Sequence, residues 1–107
     1  GTRIIKFFLH ISKNEQKQRF QERIDDPSKR WKFDPADLEK RKLWDEYERA
    51  FEDMLEKCST KECPWYIVPG DQNWYRDLIV TSVIVETLKD MNPQYPTPPD
   101  VTGVVVV

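Results

Sequence analysis

Basic side chains are concentrated in one stretch of the sequence, between Lys13 and Lys32. Seven bases stand there against four acids, which gives a local net charge of +3. The bases are Lys13, Lys17, Arg19, Arg23, Lys29, Arg30 and Lys32. Arg19 and Arg23 are four residues apart, a spacing that places two guanidinium groups on one face of a helix. Such a pair can hold phosphate oxygens bidentately, and the three later bases can close from a loop.

An ordinary solvated helix face is the alternative for this stretch, because Glu15, Glu22 and Asp26 offer partners to the bases. Composition alone favours that alternative, since clusters of arginine on helices are common and unspecific. Trp31 and Phe33 lie among the bases. They suit either a binding surface or anchors that pack the loop on the core.

The loop Pro69-Gly70-Asp71 is a second candidate, because it ends a predicted strand. Open parallel sheets bind ligands at the carboxyl ends of their strands. Asp71 would either lie at a ligand or simply cap the following helix. His10 lies inside a predicted strand, where a structural histidine is favoured over a catalytic base.

Several chemistries are excluded by the residues available. The chain has three glycines and no G-x-x-x-x-G-K-[ST], G-x-G-x-x-G or G-x-S-x-G motif. Cys58, Cys63 and His10 are too few for a zinc site of four Cys/His ligands. We expect two reduced thiols, with a disulfide across the short loop as the alternative.

The basic stretch is positioned by a predicted strand and helix. Apolar residues run almost unbroken from Ile4 to Ile11, as in a strand buried on both faces. Ser12 and Glu15 have the spacing of a capping box, in which each side chain bonds the other residue's amide. The helix is expected to continue to about Ile24, before Pro27 breaks it.

The remaining elements follow from caps and periodicity. Asp34-Pro35 is a helix start, and apolar spacing predicts one long helix that ends near Lys57. Trp65 to Val68 reads as a second strand. Apolar residues at helical spacing predict a last helix over 72–90, and a proline-rich tail follows.

This order of elements predicts an α/β fold with two parallel strands. Two strands buried on both faces leave their outer edges unpaired. We therefore expect the sheet to need strands outside this sequence, and the chain to be a fragment of one domain.

The overall charge limits the partners. Lys and Arg total 17 against 19 Asp and Glu, a net charge of -2, so no global positive field draws the chain to DNA or to membranes. The apolar runs are far shorter than the ~20 residues that cross a bilayer. We expect a cytoplasmic protein without a signal peptide. Residues 37–57 carry a net charge of -3, which would suit a helix that joins an oligomer.

The motifs together closely resemble the polyphosphate kinase 2 family over residues 1 to about 96. The matching segments, in order, are Lys6 to Lys13, Glu15-Gln16, Arg19-Phe20, Arg23, Lys29, Trp31-Lys32-Phe33, Pro35, Asp37-Leu38, Trp44, Tyr47, Ser59-Thr60, Pro64-Trp65, Val68-Pro69, Asp71 and Trp74-Tyr75-Arg76. The resemblance implies a P-loop kinase fold of three layers, similar to thymidylate kinase, that uses inorganic polyphosphate and Mg2+ to phosphorylate nucleoside mono- or diphosphates. Only the C-terminal part of such a domain matches, so the Walker motifs and the metal ligands would lie upstream.

The resemblance also implies roles for the candidate residues. The segment after the first strand corresponds to a mobile lid over the phosphates. Arg23 would then stabilise charge in the transition state, and Arg19, Lys29, Arg30 and Lys32 would hold the polyphosphate chain. Backbone groups at Gly70 and Asp71 would touch the base of an adenine or guanine nucleotide.

On this basis the chain is one fragment with six segments. They are a core strand (1–11), the lid (12–34), a long helix (35–58), a core strand (64–69), a last helix (72–91) and a tail (92–107). We expect a homo-oligomer. The rival hypotheses are a non-catalytic module that binds polyphosphate or RNA and a structural oligomerisation partner.

Overall fold

A computed structural model describes all 107 residues of the chain. Two strands and four α-helices follow one another, with a short 3-10 turn after the first helix. The elements are β1 (Lys6–His10), α1 (Lys13–Asp25), the 3-10 turn (Arg30–Lys32), α2 (Pro35–Lys42), α3 (Trp44–Cys58), β2 (Trp65–Pro69) and α4 (Asn73–Met91). Residues 92–107 contain no helix or strand.

The two strands form one parallel sheet, in which Lys6 pairs with Trp65 and His10 with Pro69. This confirms the predicted α/β class with parallel strands. The first strand is shorter than the predicted run from Ile4 to Ile11, and its residues are half-buried or exposed. Burial on both faces was expected of a sheet with further strands outside this sequence, so it stays a prediction for the complete sheet.

Helix α1 begins where the sequence predicts, but its capping box is incomplete. The Ser12 Oγ accepts a bond of 3.1 Å from the Glu15 amide. The reciprocal bond is absent, because the Ser12 amide donates instead to Asp71, and the Glu15 carboxylate accepts from Arg19. This part of the prediction was wrong because a distant residue competes for the Ser12 amide.

The predicted long helix over 35–58 is two helices, which is a correction to the sequence analysis. Leu43 leaves the helical conformation at φ -90° and ψ 22°, and its amide donates to the Lys40 carbonyl. Charges at the joint favour this break, since cations stabilise the end of one helix and acids the beginning of the next. The cations are Lys40, Arg41 and Lys42, and the acids are Asp45 and Glu46.

Aromatic contacts hold α3 on the sheet. The ring centroids of Phe8 in β1 and Phe51 in α3 are 4.9 Å apart. Next to them, His10 Nε2 lies 3.4 Å from the Glu48 carboxylate. These contacts are consistent with the expectation of a structural histidine. Helix α4 packs against β2.

The chain by itself has almost no core. Only Val68 and Gly70 are buried. Its radius of gyration is 21.6 Å, whereas a compact domain of this length has about 13 Å. Its accessible surface is 9122 Å², against about 6,300 Å² for a compact monomer of this mass. Large apolar faces are therefore left without a packing partner.

Both cysteines, Cys58 and Cys63, are free, so no disulfide closes the loop between α3 and β2. The helices include none with the length and apolar character needed to cross a membrane.

The exposed apolar surface predicts how the isolated chain behaves. We expect the 107-residue chain to bind an apolar dye such as ANS strongly and to unfold without a cooperative thermal transition, because so few side chains are buried together. Calorimetry and dye fluorescence measure both properties. A sharp two-state transition without dye binding would contradict this expectation.

Candidate phosphate-binding site

The candidate site is built where the two parallel strands end side by side. The Gly70 amide donates to the His10 carbonyl at 2.7 Å, which continues the ladder beyond β2. A Cβ at position 70 would lie 2.9 Å from Ile11 Cγ2 and 3.3 Å from the His10 oxygen. Glycine is therefore required here by the close approach of the two chains. As a result, the residues after β2 lie against the first residues of α1.

Asp71 bonds to the beginning of α1. Its Oδ1 accepts from the Ser12 amide at 2.7 Å. The pKa of Asp71 is lowered, first by this amide, then by the Ser12 hydroxyl and by the positive charges of Arg19 and His10. The alternative that Asp71 caps the last helix is wrong, since the N-cap of α4 is Gln72 and its side chain forms no capping bond.

Arg19 joins α1 to the same loop. Its Nε donates to the Glu15 carboxylate at 2.8 Å, within one helix turn. Its Nη2 donates across to the Gly70 carbonyl at 2.7 Å and to the Asp71 carbonyl at 3.3 Å. The Arg19 side chain is 28% exposed. The structure thus brings Arg19, Gly70 and Asp71 together, through bonds that the sequence did not predict.

Arg23 lies one turn further along α1, about 6 Å along the helix axis from Arg19. Its guanidinium forms no hydrogen bond or ion pair with the rest of the chain, and its centre lies 5.8 Å from the centroid of the Phe20 ring. Arg23 therefore keeps all of its hydrogen-bond donors available to a ligand.

The three later bases surround the C-terminal end of α1. Lys29 Nζ lies 3.2 Å from the Asp26 carboxylate, and Arg30 Nε donates to the Ile24 carbonyl at 2.6 Å. Lys32 Nζ lies 5.2 Å from the centroid of the Trp31 ring, which is itself 78% exposed. None of these bases contacts Arg19, Gly70 or Asp71, so the predicted residues fall into two groups along the helix.

A residue that the sequence analysis missed braces α1 from its other side. Arg41 of α2 donates through Nη1 to the Lys13 carbonyl at 2.7 Å and to Gln16 Oε1 at 3.0 Å. Its guanidinium carbon also lies 5.9 Å from the ring centroid of Trp44. No local signal marks Arg41, because its partners are 25 and 28 residues away.

The chain does not offer a metal site. No group of three or more His, Cys, Asp or Glu side chains in the structure is arranged to hold an ion. The ligands of the Mg2+ that the resemblance implies were expected outside this sequence, and the metal stays a prediction.

Comparisons with known proteins agree on one family. The family model described as polyphosphate kinase 2 matches residues 1–96. The chain is 51% identical over its whole length to an AMP/ADP-polyphosphate phosphotransferase of Meiothermus ruber, and 52% identical over 90% of its length to an ADP-polyphosphate phosphotransferase of Rhodopseudomonas palustris. It superposes on 37% of a crystal structure of polyphosphate kinase 2 from Arthrobacter aurescens, with a TM-score of 0.88, 41% identity and 95% of the chain covered.

The chain spans 40% of the length of the Meiothermus protein and 33% of the Rhodopseudomonas protein. The comparisons confirm the resemblance seen in the sequence. They leave the roles of individual residues in this chain as predictions.

The bond between Ser12 and Asp71 predicts the titration of that carboxyl group. We expect the Asp71 side chain to titrate below about 3.9, the value for a free aspartate, and Ser12→Ala to raise its pKa only in part, because the amide donor remains. Since the folded pKa is lowered, the stabilisation is present above the unfolded pKa and is lost as the pH falls through the folded pKa. NMR titration of the Asp71 carboxyl carbon measures this.

Ser82→Ala is the matched control, because Ser82 bonds only to the Leu78 carbonyl of α4. An Asp71 pKa at or above that of a free aspartate, or one that Ser12→Ala leaves unmoved, would contradict the prediction.

Proposed function

Because the chain belongs to the polyphosphate kinase 2 family, we propose that it forms the basic segment (residues 13–32) and part of the nucleotide pocket of an enzyme that transfers phosphate between inorganic polyphosphate and a nucleoside mono- or diphosphate. Support comes from relatives named AMP/ADP- and ADP-polyphosphate phosphotransferases. The similarity to polyphosphate kinase 2 in three dimensions agrees with this proposal.

The observation that carries the proposal is the unpaired guanidinium of Arg23 on a helix whose other end is tied to the sheet. An arginine without a carboxylate partner adds no ion pair to the stability of the fold. All five of its N–H donors are available to an anion. Phosphoryl transfer spreads negative charge over the equatorial oxygens of the transferred group. In the proposed reaction Arg23 donates to those oxygens as the bond to the leaving phosphate breaks and the bond to the acceptor oxygen forms.

The remaining bases are proposed to hold the polyphosphate chain. Three bases are clustered beyond Arg23, namely Lys29, Arg30 and Lys32. Their contacts within the chain are exposed and therefore weak, so a polyanion can replace these contacts. Arg19 is different, because its Nε and Nη2 are already committed. Only its Nη1 is left without a protein acceptor, and this atom is the proposed phosphate donor.

The loop after β2 is proposed to lie beside the nucleotide base. Gly70 and Asp71 follow the carboxyl end of a parallel strand, where open sheets bind ligands. The Asp71 side chain, the Gly70 amide and both carbonyls are used within the chain, so the Asp71 amide is the backbone donor that is free for the proposed contact with the base.

The rest of the enzyme is proposed to lie outside this chain. The unpaired sheet edges and the exposed apolar faces are proposed to pack against the remainder of a three-layer P-loop kinase domain similar to thymidylate kinase. The Walker motifs and the Mg2+ ligands are assigned to that remainder. A cytoplasmic location and a homo-oligomeric state stay predictions.

The test of this proposal is Arg23→Ala in the complete enzyme that contains the chain. We expect kcat for phosphate transfer from polyphosphate to fall about 100- to 1000-fold, the usual cost of removing one donor to transition-state charge. Steady-state kinetics with AMP, ADP, GMP and GDP as acceptors measure this effect and identify the acceptor.

Lys89→Ala is the control, because Lys89 lies in the last turn of α4, about 24 Å from the beginning of that helix. We expect this variant to retain activity within about twofold. Polyphosphate binding that weakens with salt and with Arg23→Ala, in an enzyme that transfers no phosphate, would favour the binding module instead. A concentration-dependent oligomer without polyphosphate affinity would favour the structural partner.

A further inference from the structure

Three residues at the beginning of α1 form a closed ring of hydrogen bonds with Asp71 in the loop after β2. The Glu15 amide donates to the Ser12 Oγ, and the Ser12 amide donates to the Asp71 carboxylate. Arg19 closes the ring, since it donates to the Asp71 carbonyl and to the Glu15 carboxylate. It also donates to the Gly70 carbonyl at 2.7 Å, which is the shorter of its bonds to the loop.

We infer that Asp71 and Arg19 are positioning residues: together they fasten the first turns of α1 to the loop after β2, and so set where Arg23 stands relative to that loop. We call this arrangement the α1 clasp, consisting of Ser12, Glu15, Arg19, Gly70 and Asp71. The inference rests on the proposed function in one respect, which is that Arg23 contacts the transferred phosphate.

The chemistry of each member suits the clasp. Arg19 bonds in two directions at once, through Nε along α1 and through Nη2 across to the loop. A lysine has one nitrogen and lacks this fork. Glu15 is available to orient Arg19 because Asp71 has taken the Ser12 amide. Bonds linked in this way polarise one another, so that removing one member weakens the others.

The clasp divides the basic segment into two parts. The first turns of α1 are fixed, and the residues that follow α1 are less constrained. The fixed part is held on two sides, because Arg41 also bonds to Lys13 and Gln16. Beyond it, Lys29 and Arg30 contact only neighbouring residues of the same segment. Movement of the segment is therefore expected to begin after α1, whose last turn carries Arg23, and not at Ser12.

Hydrogen–deuterium exchange in the complete enzyme, without substrate, tests the clasp directly. We expect Asp71→Ala to increase exchange about 10-fold or more in peptides covering residues 12–20, the effect of losing a bond to a charged acceptor. Peptides covering residues 44–58 serve as the internal reference. We expect Asp71→Asn to stay close to the unsubstituted protein, because its side-chain oxygen still accepts from the Ser12 amide.

Asp77→Ala is the matched control, since Asp77 is an exposed acid of α4 whose partner is Arg76. We expect it to leave exchange over 12–20 unchanged. Arg19→Lys provides a second variant and is expected to increase exchange in the same peptides. Unchanged exchange over 12–20 in both Asp71→Ala and Arg19→Lys would overturn the inference.

Kinetics then show whether the clasp positions Arg23. We expect Asp71→Ala to lower kcat about 10-fold while KM for the nucleotide stays within about twofold, and Asp71→Asn to restore kcat. In an Arg23→Ala background, Asp71→Ala is expected to add less than about twofold, because its effect passes through Arg23.

Two kinetic results would overturn this positioning role. They are an effect of Asp71→Ala that adds in full to that of Arg23→Ala, and a failure of Asp71→Asn to restore kcat. If Arg23→Ala leaves transfer unchanged, the proposed role of Arg23 fails, whereas the exchange experiment still decides whether the clasp exists.

Discussion

The parallel alignment of the two strand ends is the constraint on which the rest of the site depends. Because His10 and Pro69 end their strands in register, Gly70 reaches the His10 carbonyl, and no side chain fits between them. The residues that follow each strand must then lie next to each other. A helix leaves one strand and a loop leaves the other, so amides and carbonyls at this edge lack partners within their own elements. Asp71 and Arg19 supply those partners.

Features determined by neighbouring residues could be predicted from the sequence, and features determined by distant residues could not. The beginning of α1 after Ser12 depends on residues within one turn, and it is present as predicted. The other half of the capping box depends on Asp71, which is 59 residues away. Leu43 shows a different limit, because the apolar spacing continues through it and hides the break between the two helices. The sequence analysis predicted the pair of parallel strands and the loop at its end, which bring the residues of the clasp near one another. Spacing alone does not indicate which of their side chains form hydrogen bonds.

Within this chain, hydrogen bonds at the sheet edge hold α1 more than apolar packing does. With only Val68 and Gly70 buried, the hydrophobic effect does little within the chain to hold α1 in place. The two turns of α1 nearest the sheet are held by polar groups of Asp71, Arg19 and Arg41. Hydrogen bonds are directional, so they fix the orientation of α1 as well as its position. Packing of apolar side chains alone restricts the orientation less strictly.

The break at Leu43 separates two helices that have different anchors. Arg41 ties α2 to α1, whereas Phe51 and Glu48 tie α3 to β1. A single straight helix over 35–58 would connect these two anchors rigidly. A tilt at one end would then move the other end. Because Lys13 and Arg41 also contact the ring of Trp44 at the beginning of α3, the break loosens the connection between these helices without removing it. Under the proposed function, the break would separate the helix that follows the phosphate-binding bases from the helix that packs on the sheet.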